Sequence, residues 1–361
     1  MQTSKRLSLT LGATLFGLSS LASPVAADDS NLENQESGEV EVLPLSNAEL
    51  VAALVGLSMY TSPVSENGFS LDLQAKGGIK GPPSGKGDEE EDPPSYYDWM
   101  HVEIQGAWDA EFLGQGTTIT VVDDFSSNMV FEGKLGEQFE TLRHGEWTLK
   151  EASMIAPAAK MREDEFTVSG KIRLKKGFNV LNLSYGMYAE TGYDVDNILW
   201  SPQEASILSF AESGEAVVSK AAGNDSVAVG TATTEGLEDY LATALICAQS
   251  AIFVGALDSN GGSLAAYSNI AGTNVDVQNQ FLVVGVDAEA MGGLAGTSFA
   301  APIISGYAAV LASKFPDATP TQVANQLLST ARQDTINSYS VEIHGQGEAS
   351  IANALAPVCL E

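Results

Sequence analysis

Gly296-Thr297-Ser298-Phe299-Ala300-Ala301-Pro302 runs directly into Ile303-Ile304-Ser305-Gly306-Tyr307-Ala308-Ala309-Val310-Leu311-Ala312. Pro302 suits the first turn of a helix, where a missing N–H costs nothing. The residues after it are apolar on nearly every side, and a helix of that kind is a buried one. Ser298 therefore stands at the positive end of a buried helix dipole, among N–H groups that the helix leaves unpaired. Such a place suits a nucleophile whose reaction develops an oxyanion. Taken alone, the serine has a second reading as an ordinary N-cap.

Working outward, apolar runs alternate with helical patterns. Val102 to Phe112 reads as a short helix. Thr118-Ile119-Thr120-Val121-Val122 reads as a β-branched strand that runs straight into Asp123-Asp124. Further strands are expected at Phe178–Leu181, Ala216–Ala221, Ala251–Ala256 and Phe281–Val286, with a helix at Pro202–Ser213. Thr319-Pro320-Thr321-Gln322 is a capping box with proline at the first helical position, opening a helix through Ala331. Strands alternating with helices argue an α/β fold, a mostly parallel sheet with helices on both faces.

The composition bounds the partners. The chain has 361 residues, 44% of them hydrophobic, with 17 Lys and Arg against 47 Asp and Glu, a net charge of −30. A surface this acidic repels phosphates and excludes nucleic acid. Residues 1–27 read as a secretory signal peptide: Lys5 and Arg6, an apolar run from Leu7 to Leu21, then Val25-Ala26-Ala27 before Asp28. No later stretch is long and apolar enough to span a bilayer, so no integral membrane segment is expected once the signal is removed. Residues 28–94 read as an acidic, Gly- and Pro-rich leader or pro-segment, largely disordered, with one helical piece at Asn47–Met59. The folded domain is expected over 95–361, secreted or periplasmic, as a monomer. An exported chain permits a Cys247–Cys359 disulfide, and two buried free thiols are the other reading.

In sheets of this kind, sites form at the carboxyl ends of the strands. Asp123 ends one strand and Asn224 follows another, in Gly223-Asn224-Asp225. Of the three histidines, His101, His144 and His344, the one in His144-Gly145, ahead of a helix-like stretch, is the candidate general base.

Together, Asp123 after its strand, His144-Gly145, Ala222-Gly223-Asn224 and Gly296-Thr297-Ser298 resemble the subtilisin-like serine proteases (subtilases), whose order is Asp, His, Ser. The resemblance covers about residues 96–357, from Tyr97-Asp98-Trp99 to Ala354-Leu355-Ala356-Pro357. It implies a three-layer subtilisin-like fold and a serine endopeptidase. Ser298 would be the nucleophile, His144 the base and Asp123 the acid that holds the imidazole. Asn224 would donate to the oxyanion. The short strand Asn182-Leu183-Ser184-Tyr185-Gly186 would pair with an extended peptide or protein substrate through Ser184, Tyr185 and Gly186.

Three features depart from the family. Asp124-Phe125 stands where Ser or Thr and then Gly is usual, which leaves Asp124 as a rival acid. Glu146 follows His144-Gly145 where Thr is usual. His144 and Asn182 are 38 residues apart, shorter than a helix and a calcium loop usually need. The resemblance thus leaves calcium open as a cofactor, with no site to assign and no other cofactor implied. Two alternatives stay open here: a catalytically inactive subtilase fold that binds peptides or acts as a scaffold, and an esterase, against which the missing Gly-x-Ser-x-Gly elbow counts.

Overall fold

The computed structural model describes residues 13–15, 94–168, 170–259 and 261–360. The strands in chain order are β1 (Ala13–Leu15), β2 (Thr117–Asp123), β3 (Phe131–Gly133), β4 (Glu140–Leu142), β5 (Lys160–Glu165), β6 (Phe178–Leu183), β7 (Tyr185–Glu190), β8 (Val217–Ala221), β9 (Leu237–Asp239), β10 (Ala251–Leu257) and β11 (Phe281–Gly285). The helices are α1 (Glu103–Asp109), α2 (His144–Ile155), α3 (Pro202–Ser213), α4 (Tyr240–Leu245), α5 (Val275–Gln280), α6 (Ala301–Lys314), α7 (Pro320–Ser329), α8 (Val341–His344) and α9 (Ile351–Leu355). Apart from β1 and Pro94, the expected signal peptide, the leader and its Asn47–Met59 helix lie outside the described residues.

Six strands form one sheet in the order β11-β10-β8-β6-β2-β5, every neighbouring pair parallel. From β2 the chain crosses outward to β5 through α2. It then returns over β2 to β6 and proceeds the other way through β8, β10 and β11. The strand order therefore reverses between β2 and β6, and the crevice at their carboxyl ends is the natural place for a site.

Side chains alternate across the sheet and divide the core in two. Ile119, Val121, Val180, Val217, Ile252 and Leu282 pack on one face with α1, α2, α6, α7 and α9. Val122, Leu181, Val218, Phe253 and Phe281 pack on the other with α3, α4 and α5. This period of two explains why the strands read as continuous apolar runs: both faces are covered. Helix α6 is the buried helix expected, with every residue from Ala301 to Ala312 buried. Thr319 caps α7 with both bonds of the box, and the helix ends at Ser329, two residues short of the expected end. Helix α3 spans the expected residues, capped by Ser201 and closed by Gly214 at φ 67°.

Two differences stand out. Strand β5, Lys160-Met161-Arg162-Glu163-Asp164-Glu165, carries five charges in six residues and shows no apolar alternation. It is the edge of the sheet, where charge blocks further pairing. The expected strand across Asn182–Gly186 is two elements: β6 ends at Leu183, Ser184 lies in neither, and β7 begins at Tyr185. Ser184 leaves the ladder because both its hydroxyl and its carbonyl are engaged by Ser298. The edge of β7 at Tyr185–Met187 pairs antiparallel with β1. Cys247 and Cys359 are both unpaired and exposed, so neither the disulfide nor the buried pair is found. No helix among the described residues is long and apolar enough to cross a membrane.

Candidate active site

Asp123 is the last residue of β2, all seven of whose residues are buried. Its Oδ1 lies 2.7 Å from Nδ1 of His144, and it also accepts from Asp124 N at 2.7 Å. Its Oδ2 accepts from the Thr148 hydroxyl at 3.0 Å. A carboxylate only accepts, so the proton of the neutral imidazole sits on Nδ1 and Nε2 is the basic nitrogen. Nε2 is buried with no hydrogen-bond partner among the described residues. Asp124 faces elsewhere. It accepts from Ser126 N at 3.2 Å, Ser127 N at 2.9 Å and the Ser127 hydroxyl, closing the turn after β2. Of the two neighbouring acids, Asp123 faces the imidazole.

His144 is the first residue of α2. Gly145 lets that helix end come close to β2: its N–H donates to Asp124 O at 3.0 Å, and a Cβ there would meet that oxygen at 2.8 Å and the Phe125 ring at 2.9 Å. Glu146, unusual for the resemblance, has a local reason. Its carboxylate accepts from Arg143 N at 2.7 Å, satisfying the helix start. Phe131 and Phe299 flank the imidazole, with ring centroids 6.2 and 5.9 Å away. The other two histidines are engaged elsewhere. His101 Nε2 lies 3.1 Å from Arg332 Nη2, and His344 Nδ1 lies beside Ser340.

Ser298 is buried in a short 3-10 turn, Thr297–Phe299, that leads into α6. Gly296 precedes the turn at φ 124°, a conformation that needs glycine. The N-cap of α6 is Ala300, so Ser298 is not a capping residue. Its hydroxyl instead donates to Ser184 O at 3.2 Å, and the Ser184 hydroxyl donates to Ser298 O at 2.9 Å. Below them, Asn182 Nδ2 donates to Ser184 Oγ at 3.0 Å, and the Ser305 hydroxyl of α6 donates to Asn182 Oδ1 at 3.1 Å. All four side chains are buried. This polar chain ties the serine turn and α6 to the end of β6.

Asn224 follows β8. Its Oδ1 accepts from Thr297 N at 2.9 Å and from the Thr297 hydroxyl at 3.0 Å. Those bonds fix the amide and leave Nδ2 buried with no partner among the described residues. Asn269 holds the loop from behind. It donates to Ala222 O at 2.9 Å and accepts from Asp225 N at 2.9 Å and Val227 N at 3.1 Å. A Cβ on Gly223, at φ 113°, would collide with Asn269.

Thr148, Thr297 and Asn269 were not among the expected site residues. Thr148 had a legible signal, four residues after His144 on the same helical face. Thr297 sat within the quoted motif. Asn269 is 45 residues from Asn224 and carries no local signal. Among the described residues, no group of three or more His, Cys, Asp or Glu is arranged to hold a metal ion.

The chain also has sequence relatives. The family model described as "Subtilase family" matches residues 144–347. Mycosin-5 of Mycobacterium tuberculosis (strain ATCC 25618 / H37Rv) is 37% identical over 92 residues, 22% of this chain and 16% of its own length. Mycosin-1 of the same strain is 54% identical over 39 residues, 11% of this chain and 9% of its own. The chain thus spans less than a fifth of the curated relatives it matches. Among solved structures, the prenylagaramide maturation protease PagA is similar at 20% identity and a TM-score of 0.47, over 71% of this chain and 98% of that one.

Proposed function

The chain belongs to the subtilase family, and on that premise we propose that it is a serine endopeptidase working through Ser298, His144 and Asp123. The observation that carries the reading is the buried Asp123–His144 pair with Nε2 left unpartnered. Ser298 Oγ adds to the scissile carbonyl carbon while its proton passes to His144 Nε2. Asp123 holds the imidazole tautomer and stabilises the imidazolium. The oxyanion accepts from Asn224 Nδ2 and from the Ser298 main-chain N–H. Collapse breaks the C–N bond, and the amine leaves with the proton from His144. Water then attacks the acyl-enzyme ester, His144 takes its proton, and the peptide acid departs as Ser298 recovers its hydrogen.

Ser184 exchanges hydrogen bonds with Ser298, and an extended peptide would pair with the main chain of Ser184, Tyr185 and Gly186. In the full chain the edge of β7 at Tyr185–Met187 pairs antiparallel with β1; signal removal would take β1 away and leave that edge open to a substrate. The basic, apolar and small-residue succession in residues 1–27 supports export, so the substrates are peptides or proteins outside the cytoplasm.

The test is covalent labelling. A fluorophosphonate should label the wild type at Ser298, and Ser298→Ala should lose both labelling and proteolysis while keeping its circular dichroism spectrum. A folded wild type that takes no label overturns the reading in favour of an inactive, peptide-binding subtilase fold.

A further inference from the structure

We propose that Tyr188 closes the space that receives the substrate side chain next to the scissile bond (P1), restricting cleavage to peptides with a small P1 residue: glycine, alanine or serine. This rests on the peptidase reading above.

Two glycines point to it. Gly186 lies in β7, two residues after Ser184, and Gly223 lies in the loop after β8, beside Asn224. A peptide whose scissile carbonyl meets Ser298 Oγ, with its oxygen toward Asn224 Nδ2, sends its P1 side chain between these two segments. One segment carries the main chain beside Ser298, and the other carries the oxyanion donor. The side chain already there is Tyr188. A Cβ on Gly186 would lie 2.6 Å from Tyr188 Cε2, and one on Gly223 would lie 3.4 Å from the Tyr188 hydroxyl. The ring therefore reaches from one segment to the other.

Its position is held and its floor is charged. The Tyr188 hydroxyl donates to Asp225 Oδ2 at 2.8 Å. Asp239 Oδ2 would also meet the Gly186 Cβ, at 2.8 Å. That carboxylate pairs with Lys220 Nζ at 2.9 Å, the lysine being fully buried. Asp239 Oδ1 accepts from Met187 N at 2.9 Å and from Leu241 N at 3.2 Å at the start of α4, so it cannot swing aside without freeing those donors. Burial pushes the Lys220 ammonium below its ordinary value and the Asp225 carboxyl above it, with Asp239 pulling Lys220 back up. A large apolar P1 side chain would have to displace the ring, break its bond to Asp225 and then lie against a buried ion pair. Each step costs free energy that a methyl group does not incur.

The experiment measures kcat/KM on peptides identical except for Gly, Ala, Leu or Phe at P1, in the wild type, Tyr188→Ala and Tyr188→Phe. Fluorophosphonate labelling of Ser298 is followed in parallel. The wild type should prefer Ala over Phe by at least about tenfold, the scale on which a pocket discriminates by size. Tyr188→Ala should lower that ratio about tenfold or more while still taking the label. Tyr188→Phe keeps the ring and should keep the preference. A labelled wild type that cleaves Phe as fast as Ala overturns the proposal alone. So does a labelled Tyr188→Ala with an unmoved preference. A wild type that is folded but unlabelled overturns the peptidase reading, and this inference falls with it.

Discussion

Nδ1 of His144 lies 2.7 Å from Oδ1 of Asp123, both side chains are buried, and Oδ2 of the same carboxylate takes the Thr148 hydroxyl. The acid ends a strand of the central sheet and the base opens the next helix. The pair is thus held by two rigid elements rather than by a loop. Thr148, one turn further along α2, fixes the carboxylate in the plane it needs. Four consequences can be measured.

Replacing Asp123 by Asn puts an amide where the imidazole needs an acceptor and an anion. The expected result is a fall in kcat of about 10⁴-fold with the fold intact. Asp124→Asn should cost far less, since Asp124 serves Ser126 and Ser127. Steady-state kinetics of the two variants decide between the neighbours. Equal losses would deny Asp123 its special place.

Asn224→Ala removes the free Nδ2 donor. The expected loss is about 10²–10³-fold in kcat with KM little changed, because the interaction forms only as charge develops on oxygen. Thr297→Val, which deletes one of two bonds that aim the Asn224 amide, should give a smaller loss of the same kind. A change confined to KM in either variant would place Asn224 in substrate binding instead.

Gly306 sits in α6 where that helix presses on α2. A Cβ there would lie 2.6 Å from Ile155 Cβ. Gly306→Ala gains about 1 kcal/mol of helix propensity but overfills a close-packed contact, which costs about 1–3 kcal/mol. The net expectation is a lower melting temperature. Thermal unfolding by circular dichroism checks it, and a raised melting temperature would mean that the two helices can part at no cost.

Glu151 is fully buried in α2, with neither carboxyl oxygen hydrogen-bonded among the described residues. Burial pushes its pKa well above the ordinary 4.5, so the folded protein holds that proton after the unfolded chain has released it. Stability is therefore full below about pH 4.5 and falls as pH rises toward the folded pKa, by at most about 1.4 kcal/mol per pH unit. Glu151→Gln, which never ionises, should escape the loss. Its melting temperature should exceed that of the wild type by a margin that widens from pH 4.5 to 8. A constant margin would show that Glu151 does not titrate between those limits.

The parts of this candidate site legible in the sequence are those whose chemistry and local pattern coincide. Asp123 closes a β-branched run, Asn224 follows one, and Ser298 precedes a helix apolar on every face. Each of these positions follows from one segment alone. The strand β5 was invisible because an edge strand needs no buried face, and its charges read as loop. The break at Ser184 was invisible because it answers to Ser298, 114 residues away. Asn269 likewise acts on a loop far from it in sequence. What could not be read was held by pairings between distant segments, which no local pattern encodes.

The reversal of strand order between β2 and β6 gathers pieces from far apart in the chain. The proposed acid and base come from the first half of the chain, and the proposed alcohol comes from the final third, after β8, β10 and β11. A chain halted before residue 298 therefore lacks the proposed nucleophile, however complete its earlier strands are.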